Sequence, residues 1–116
     1  MRNTIKKHQD FLTTDIDPSA RSAYFVIRAK KAKFPNDPRI GFMATKRTFK
    51  LAVERNRAKR LLRDWVHYCE DLLAPQYDYI FIAYSGILSA TRDQGRLAMT
   101  KALGHIMNKY AKKETR

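Results

Sequence analysis

Between residues 50 and 74 the apolar side chains recur at a period that only a helix presents as one face. Ala58, Leu61, Leu62, Trp65, Val66, Cys69, Leu72 and Leu73 follow one another at i, i+3, i+4 and i+7, which gathers an apolar stripe along one side of an α-helix. Such a stripe has to be buried against another apolar surface, so the rest of the chain must supply one. Pro75 disfavours helical geometry at Ala74, so the helix is predicted to stop there.

The flanking segments read as that surface. Residues 22–28, SAYFVIR, are aromatic and β-branched and predict a strand. Alternation places Tyr24, Val26 and Arg28 on one face and Phe25 and Ile27 on the other. Residues 30–38 hold two prolines, an Asn and an Asp and predict a loop. Strands follow at 39–45 and, after the long helix, at 78–84, the latter closed by Ser85-Gly86. A last helix is predicted to start near Thr91, with Gln94 completing a capping box. Met99, Leu103, Ile106, Met107 and Tyr110 line one side of it, and Gly95 and Gly104 weaken it by about 1 kcal/mol each relative to Ala. Residues 4–12 suggest a short first helix, with few apolar positions (Ile5, Phe11, Leu12). The readable order is α-β-β-α-β-α, an α+β layer of helices on a small sheet. With no repeat or linker, residues 1–116 are expected to form a single domain, with a frayed tail at 112–116.

Composition narrows what such a domain can do. The 116 residues carry 24 Lys+Arg against 11 Asp+Glu, a net charge of +13, while 44% are hydrophobic. A chain this apolar folds in spite of its charge, and its surface suits an extended polyanion. No run approaches the ~18–20 apolar residues needed to span a bilayer, and the N-terminal stretch lacks the apolar core of a secretory signal. Cys69 is the only cysteine, which fits a reducing compartment, and it is expected to act as buried filler, with Trp65, Phe42 and Phe81 in the core. His8, His67 and His105 stand too far apart to form a metal-ligand series. The acids are scattered. Asp10, Asp15 and Asp17 read as turn and capping residues, and no pairing of carboxylates or histidines suggests a protein active site.

The charge is concentrated. Lys46, Arg47, Lys50, Arg55, Arg57, Lys59, Arg60 and Arg63 fall in one window whose only acid is Glu54. On a helical wheel started at Arg55, Asn56, Lys59, Arg60 and Arg63 lie between roughly 40° and 140°, opposite the apolar stripe. Arg57 flanks that set, and Arg55 sits on the apolar margin, where it must snorkel or pair. A solvated helix face normally mixes signs, whereas this one repels itself. Guanidinium forks beside an asparagine suit phosphates and base edges. The pattern therefore predicts a polyanion-binding face.

The run Lys46-Arg47 … Ala52-Val53-Glu54-Arg55-Asn56-Arg57-Ala58-Lys59-Arg60-Leu61-Leu62-Arg63 resembles the signature of the bacterial ribonuclease P protein subunit. The resemblance extends over Arg39-Ile40-Gly41, the strand at 78–83 and the last helix, roughly residues 22–110. It implies an α-β-β-β-α-β-α fold with a mostly antiparallel sheet and a left-handed strand–helix–strand crossover, a layout also found in a ribosomal-protein domain. One strand of that fold has no counterpart in the reading above. The family is a subunit of an endoribonuclease, a hydrolase that removes the 5′ leader of precursor tRNA. Its RNA performs the cleavage with Mg2+ at the RNA active site, so the resemblance implies no catalytic residue, metal or cofactor held by the protein. Implied partners are ribonuclease P RNA and precursor tRNA, with no membrane and no obligatory protein partner, in the cytoplasm.

Carried over residue by residue, the resemblance assigns Lys46, Arg47, Arg55, Asn56, Arg57, Lys59, Arg60 and Arg63 to the catalytic RNA. It assigns Phe11, Val26 and Arg28 to a cleft for the single-stranded leader, where planar groups can stack on bases. The chain departs from the family pattern at Asp15, where a second aromatic is usual, and at Tyr84-Ser85, where a basic pair is usual. From the residues alone two other readings stay open: a non-catalytic RNA-binding protein of the ribosomal kind, and a DNA-binding module using 50–74 as a groove helix. The second lacks the short preceding helix of a helix–turn–helix.

Overall fold

The computed structural model describes residues 2–13 and 17–114, with side chains as far as Lys109. Five strands form one sheet in the order β1-β4-β5-β3-β2: β1 (Asn3–Thr4), β2 (Ser19–Arg21), β3 (Phe25–Lys31), β4 (Arg39–Met43) and β5 (Tyr77–Ala83). The β2-β3-β5 side is antiparallel, while β1-β4 and β4-β5 are parallel. Parallel neighbours need a crossover, and α1 (Ala52–Tyr68) supplies it between β4 and β5. The second helix, α2 (Arg92–Glu114), lies beside α1 and packs toward β2 and β3.

Strand alternation sorts the sheet into a covered and an open face. Phe25, Ile27 and Ala29 pair with Ala83, Phe81 and Tyr79, and Ile40 and Phe42 pair with Tyr79 and Phe81. All of these join the core with Ala58, Leu62, Trp65 and Val66 of α1 and Met99, Leu103 and Ile106 of α2. The rings of Phe42 and Phe81 stack at 5.5 Å. Trp65 is fully buried, its ring 6.1 Å from Phe25 and 6.2 Å from Tyr24, so its loss would cost about 3–5 kcal/mol. Cys69 is buried as expected, with Sγ 3.2 Å from the Thr100 hydroxyl.

Gly95, expected only to weaken α2, is where Trp65 meets that helix. A β-carbon there would fall inside the indole ring. The capping box forms as predicted: the Thr91 N–H donates to Gln94 Oε1 at 2.9 Å, and the Gln94 N–H donates to Thr91 Oγ1 at 3.1 Å.

Several boundaries differ from the sequence reading. Residues 4–12 form no α-helix. Asn3 and Thr4 pair with Arg39 and Ile40, the Ile5 N–H donates to Ile40 O at 2.7 Å, and only a 3-10 turn, His8–Phe11, follows. The few apolar residues there make no helical stripe, so pairing with the edge of β4 satisfies the backbone better. The unread strand is β2, antiparallel to β3. β3 starts at Phe25 rather than at residue 22, because Ser22 Oγ accepts the N–H groups of Tyr24 and Phe25 in the intervening turn. Lys30 and Lys31, expected in a loop, extend β3 opposite Asp78 and Tyr77.

The helix predicted over 50–74 spans only Ala52–Tyr68. The Cys69 N–H is shared between Trp65 O and Val66 O, and a 3-10 turn, Glu70–Leu72, carries Leu72 and Leu73 onto the core. Beyond it the Arg2 guanidinium donates to Ala74 O and Tyr77 O, each at 2.6 Å. Met107 is exposed rather than packed. The expectations for Asp15, for the side chain of Tyr110 and for the tail lie outside the described residues or side chains.

Candidate nucleic-acid interface

Ala58, Leu62, Trp65 and Val66 of α1 turn to the sheet and α2, which leaves its polar side to solvent, with Val53 exposed in the first turn. Asn56, Arg57, Arg60 and Arg63 are exposed and Lys59 is half-buried. Arg57, Arg60 and Arg63 follow at three-residue steps, and Lys59 and Arg63 stand four apart. Each such like-charge pair costs a few tenths of a kcal/mol. A phosphate chain laid along the face turns that repulsion into attraction. Arg63 also spreads over the Phe42 ring, its guanidinium carbon 5.3 Å from the centroid, which anchors the stripe beside β4.

Just before the helix, Lys46 and Arg47 are exposed on a single turn. Thr45 Oγ1 accepts the Thr48 N–H at 3.2 Å, the Phe49 N–H donates to Thr45 O at 2.9 Å, and the buried Phe49 ring pins the turn. Arg55 is the member of the set held differently. Its Nη1 donates to Phe49 O at 2.8 Å and Lys50 O at 3.1 Å, so it clamps the turn onto the helix start. The pairing expected of a margin position is therefore made with backbone.

The open sheet face carries the other predicted site. Val26 and Arg28 share it, paired with Ile82 and Ile80 of β5 and with Arg21 and Ser19 of β2. Phe11 stacks on this face at Gly41 of β4, where a β-carbon would collide with its ring. Phe11, Val26 and Arg28 thus share one side of the sheet, with Phe11 and Arg28 half-buried and Val26 buried beneath them.

A polar network fixes that turn. Asp10 is 6% exposed and receives Lys33 Nζ at 3.1 Å and Arg39 Nη1 at 3.2 Å. Arg39 continues to Asp78 Oδ2 at 3.6 Å, and its backbone N–H donates to Asp78 Oδ1 at 2.7 Å. The Lys33 hydrogen bond, followed by that from Arg39, holds the Asp10 carboxyl below its ordinary range against the cost of desolvation. Asp10, expected as a turn and capping residue, makes no cap hydrogen bond and instead ties the turn that carries Phe11 to Lys33 and Arg39. Lys30 Nζ ties the same segment to β3 through Leu12 O at 3.1 Å.

The sequence model of the family described as Ribonuclease P matches residues 1–107. The chain belongs to the ribonuclease P protein family. A relative named ribonuclease P protein component from Caulobacter vibrioides is 40% identical over 95 residues, 80% of this chain but only 62% of that protein's length. The protein component of Desulforamulus reducens is 31% identical over 115 residues, covering 96% of this chain and 94% of its own. Among solved structures, the Staphylococcus aureus RNase P protein superposes with a TM-score of 0.72 at 25% identity, over 90% of this chain and 94% of that one. The Thermotoga maritima RNase P protein, at 18% identity and a TM-score of 0.60 over 74% of this chain and 82% of that one, shares the fold.

For a ribonuclease P family member the disposition of acids is informative. Asp10 and Asp78 are engaged with Lys33 and Arg39, Asp64 faces Arg96 at 3.5 Å, and Glu70 faces His67 at 3.5 Å. Among the described residues no group of three or more His, Cys, Asp or Glu side chains stands together as a metal site. Sequence reasoning did not find Asp10, Arg39 or Gly41 as parts of the sheet-face site. The glycine in Arg39-Ile40-Gly41, placed in a strand, was the available signal, since a strand glycine often marks close approach of another group.

Proposed function

We propose that this chain is the protein subunit of a ribonuclease P ribonucleoprotein. The polar face of α1, with the turn at 45–48, docks the catalytic RNA. The open sheet face under Phe11 holds the 5′ leader of precursor tRNA. The observation that carries the reading is the self-repelling stripe of exposed Arg57, Arg60 and Arg63 with half-buried Lys59, opposite the buried side of one helix. Phosphates neutralise it, and the released counterions supply a salt-sensitive, sequence-independent share of the affinity.

On the sheet face, Phe11 offers a ring and Arg28 a planar cation, both of which stack on a base of any identity. That suits leaders of varied sequence. The contribution is to substrate binding: a leader held beside the docked RNA aligns the scissile phosphate before the chemical step. The reading assigns bond breaking to the RNA; Asp10, Asp78 and Asp64 are held in structural ion pairs. No described helix is long and apolar enough to cross a membrane; the proposed place of work is the cytoplasm, with precursor tRNA.

Reconstitution tests this. Added to a bacterial ribonuclease P RNA at low magnesium, the chain should speed 5′-leader removal and tighten precursor over mature tRNA. Cleavage and substrate affinity both unchanged would refute the reading.

A further inference from the structure

Between β2 and α2 runs an open groove of about 810 Å3, lined by no residue of α1. That volume lies within the ~300–1,000 Å3 of sites that enclose small organic ligands. Lys101, His105 and Lys109 lie along one side at four-residue steps, with Arg21 opposite on β2. None of the residues lining the groove is acidic. Four helical residues advance about 6 Å, comparable to the step between phosphates of an extended strand. The Lys109 ammonium is held at the mouth by donating to Ser19 O. Tyr24, half-buried, and Leu97, 57% exposed, add a planar and an apolar wall.

We propose that this groove binds single-stranded RNA independently of the α1 face. Lys101 and Lys109 follow the phosphates with His105 as a hydrogen-bonding side chain between them, while Tyr24 and Leu97 take a base face, the combination that sequence-tolerant single-strand sites use. The register supports the occupant. Ser19 and Arg21 pair with Arg28 and Val26, so the groove opens at the edge of the sheet face that carries Phe11. An RNA strand leaving that face across β2 enters the groove without meeting an acid among the residues that line it. The inference rests on the RNA-binding reading above but not on assembly with the catalytic RNA.

The test titrates the intact chain with a mixed-sequence RNA of about eight nucleotides and follows backbone amide shifts by NMR. Saturable shifts at Arg21, Ser22, Ala98, Lys101 and His105 are expected. They should persist in an Arg57→Ala/Arg60→Ala variant. Lys101→Ala/His105→Ala, both exposed positions, should weaken binding about tenfold with an unchanged melting curve. Shifts confined to α1 and the open sheet face would overturn the proposal. So would an oligoglutamate peptide that saturates the groove more tightly than the RNA, which would mark a protein-binding site, or a duplex of equal length that competes as well. Stimulation of leader removal that survives while these shifts are missing would remove the groove and leave the proposed function standing.

Discussion

Substituting the two glycines of α2 by alanine separates a helix read by propensity from one read by packing. Propensity alone expects both Gly95→Ala and Gly104→Ala to stabilise, by about 1 kcal/mol each. The structure splits them. Nothing lies within 4 Å of a β-carbon at Gly104, so the propensity gain is free there. At Gly95 the new methyl lands within the Trp65 indole, which is fully buried between Phe25 and Tyr24 and has little room to withdraw. Overpacking of this kind costs about 1–3 kcal/mol, and the depth of overlap places it at the upper end. Less the propensity gain, Gly95→Ala should lose about 2 kcal/mol. For a domain of this size that lowers Tm by about 5–10 °C, whereas Gly104→Ala should raise it by about 3–5 °C. Thermal melts of the two variants with the parent chain decide it. A Gly95→Ala protein as stable as Gly104→Ala would refute the packing of α2 on Trp65, and with it the seating of α1.

Three further outcomes follow from the two proposed RNA surfaces. Phe11→Ala should weaken precursor tRNA binding about 5–100-fold, the loss of one stacked base, while mature tRNA binding is unchanged; equal loss for both would remove Phe11 from the leader site. Asp10 has its folded pKa held below the unfolded value by Lys33 and Arg39, so its contribution is complete above the unfolded value and vanishes as pH falls through the folded one. The stability gap between the parent and Asp10→Asn, from denaturant titrations, should stay level from about pH 8 to about pH 5 and close only below about pH 4; a gap that widens in acid would contradict the ion pairs. Arg55→Ala should cost about 1–2 kcal/mol of stability in the same titrations, through its bonds to Phe49 O and Lys50 O, and change the salt dependence of RNA binding less than Arg57→Ala does.

What could be read in advance follows from how local each signal is. The α1 stripe is periodic over many turns, so its buried and basic faces both stand where the sequence places them, down to the margin position of Arg55. Alternation alone put Val26 and Arg28 on the face opposite Phe25 and Ile27, and the structure adds Phe11 to that face through Gly41. β2 was invisible because Ser19-Ala20-Arg21 has no β propensity of its own; only Ala20, opposite Ile27, reaches the core. The N-terminal segment misled because its strand exists only by pairing with β4, a partner far along the chain. Asp10 is a similar case: its role is written in Lys33, Arg39 and Asp78, three residues from other elements. The early end of α1 depends on one shared N–H at Cys69, which no periodicity encodes.

The docking face on α1 is tested most directly by the salt dependence of binding to a bacterial ribonuclease P RNA. Six cations proposed for this face, Lys46, Arg47, Arg57, Lys59, Arg60 and Arg63, give an expected slope of log affinity against log salt of about −4 to −5. Arg60→Ala/Arg63→Ala should flatten that slope by about 1.5 and cost no more stability than the Arg63–Phe42 contact supplies, about 0.5–1 kcal/mol. A slope unchanged in this variant would move the RNA to another face and contradict the account.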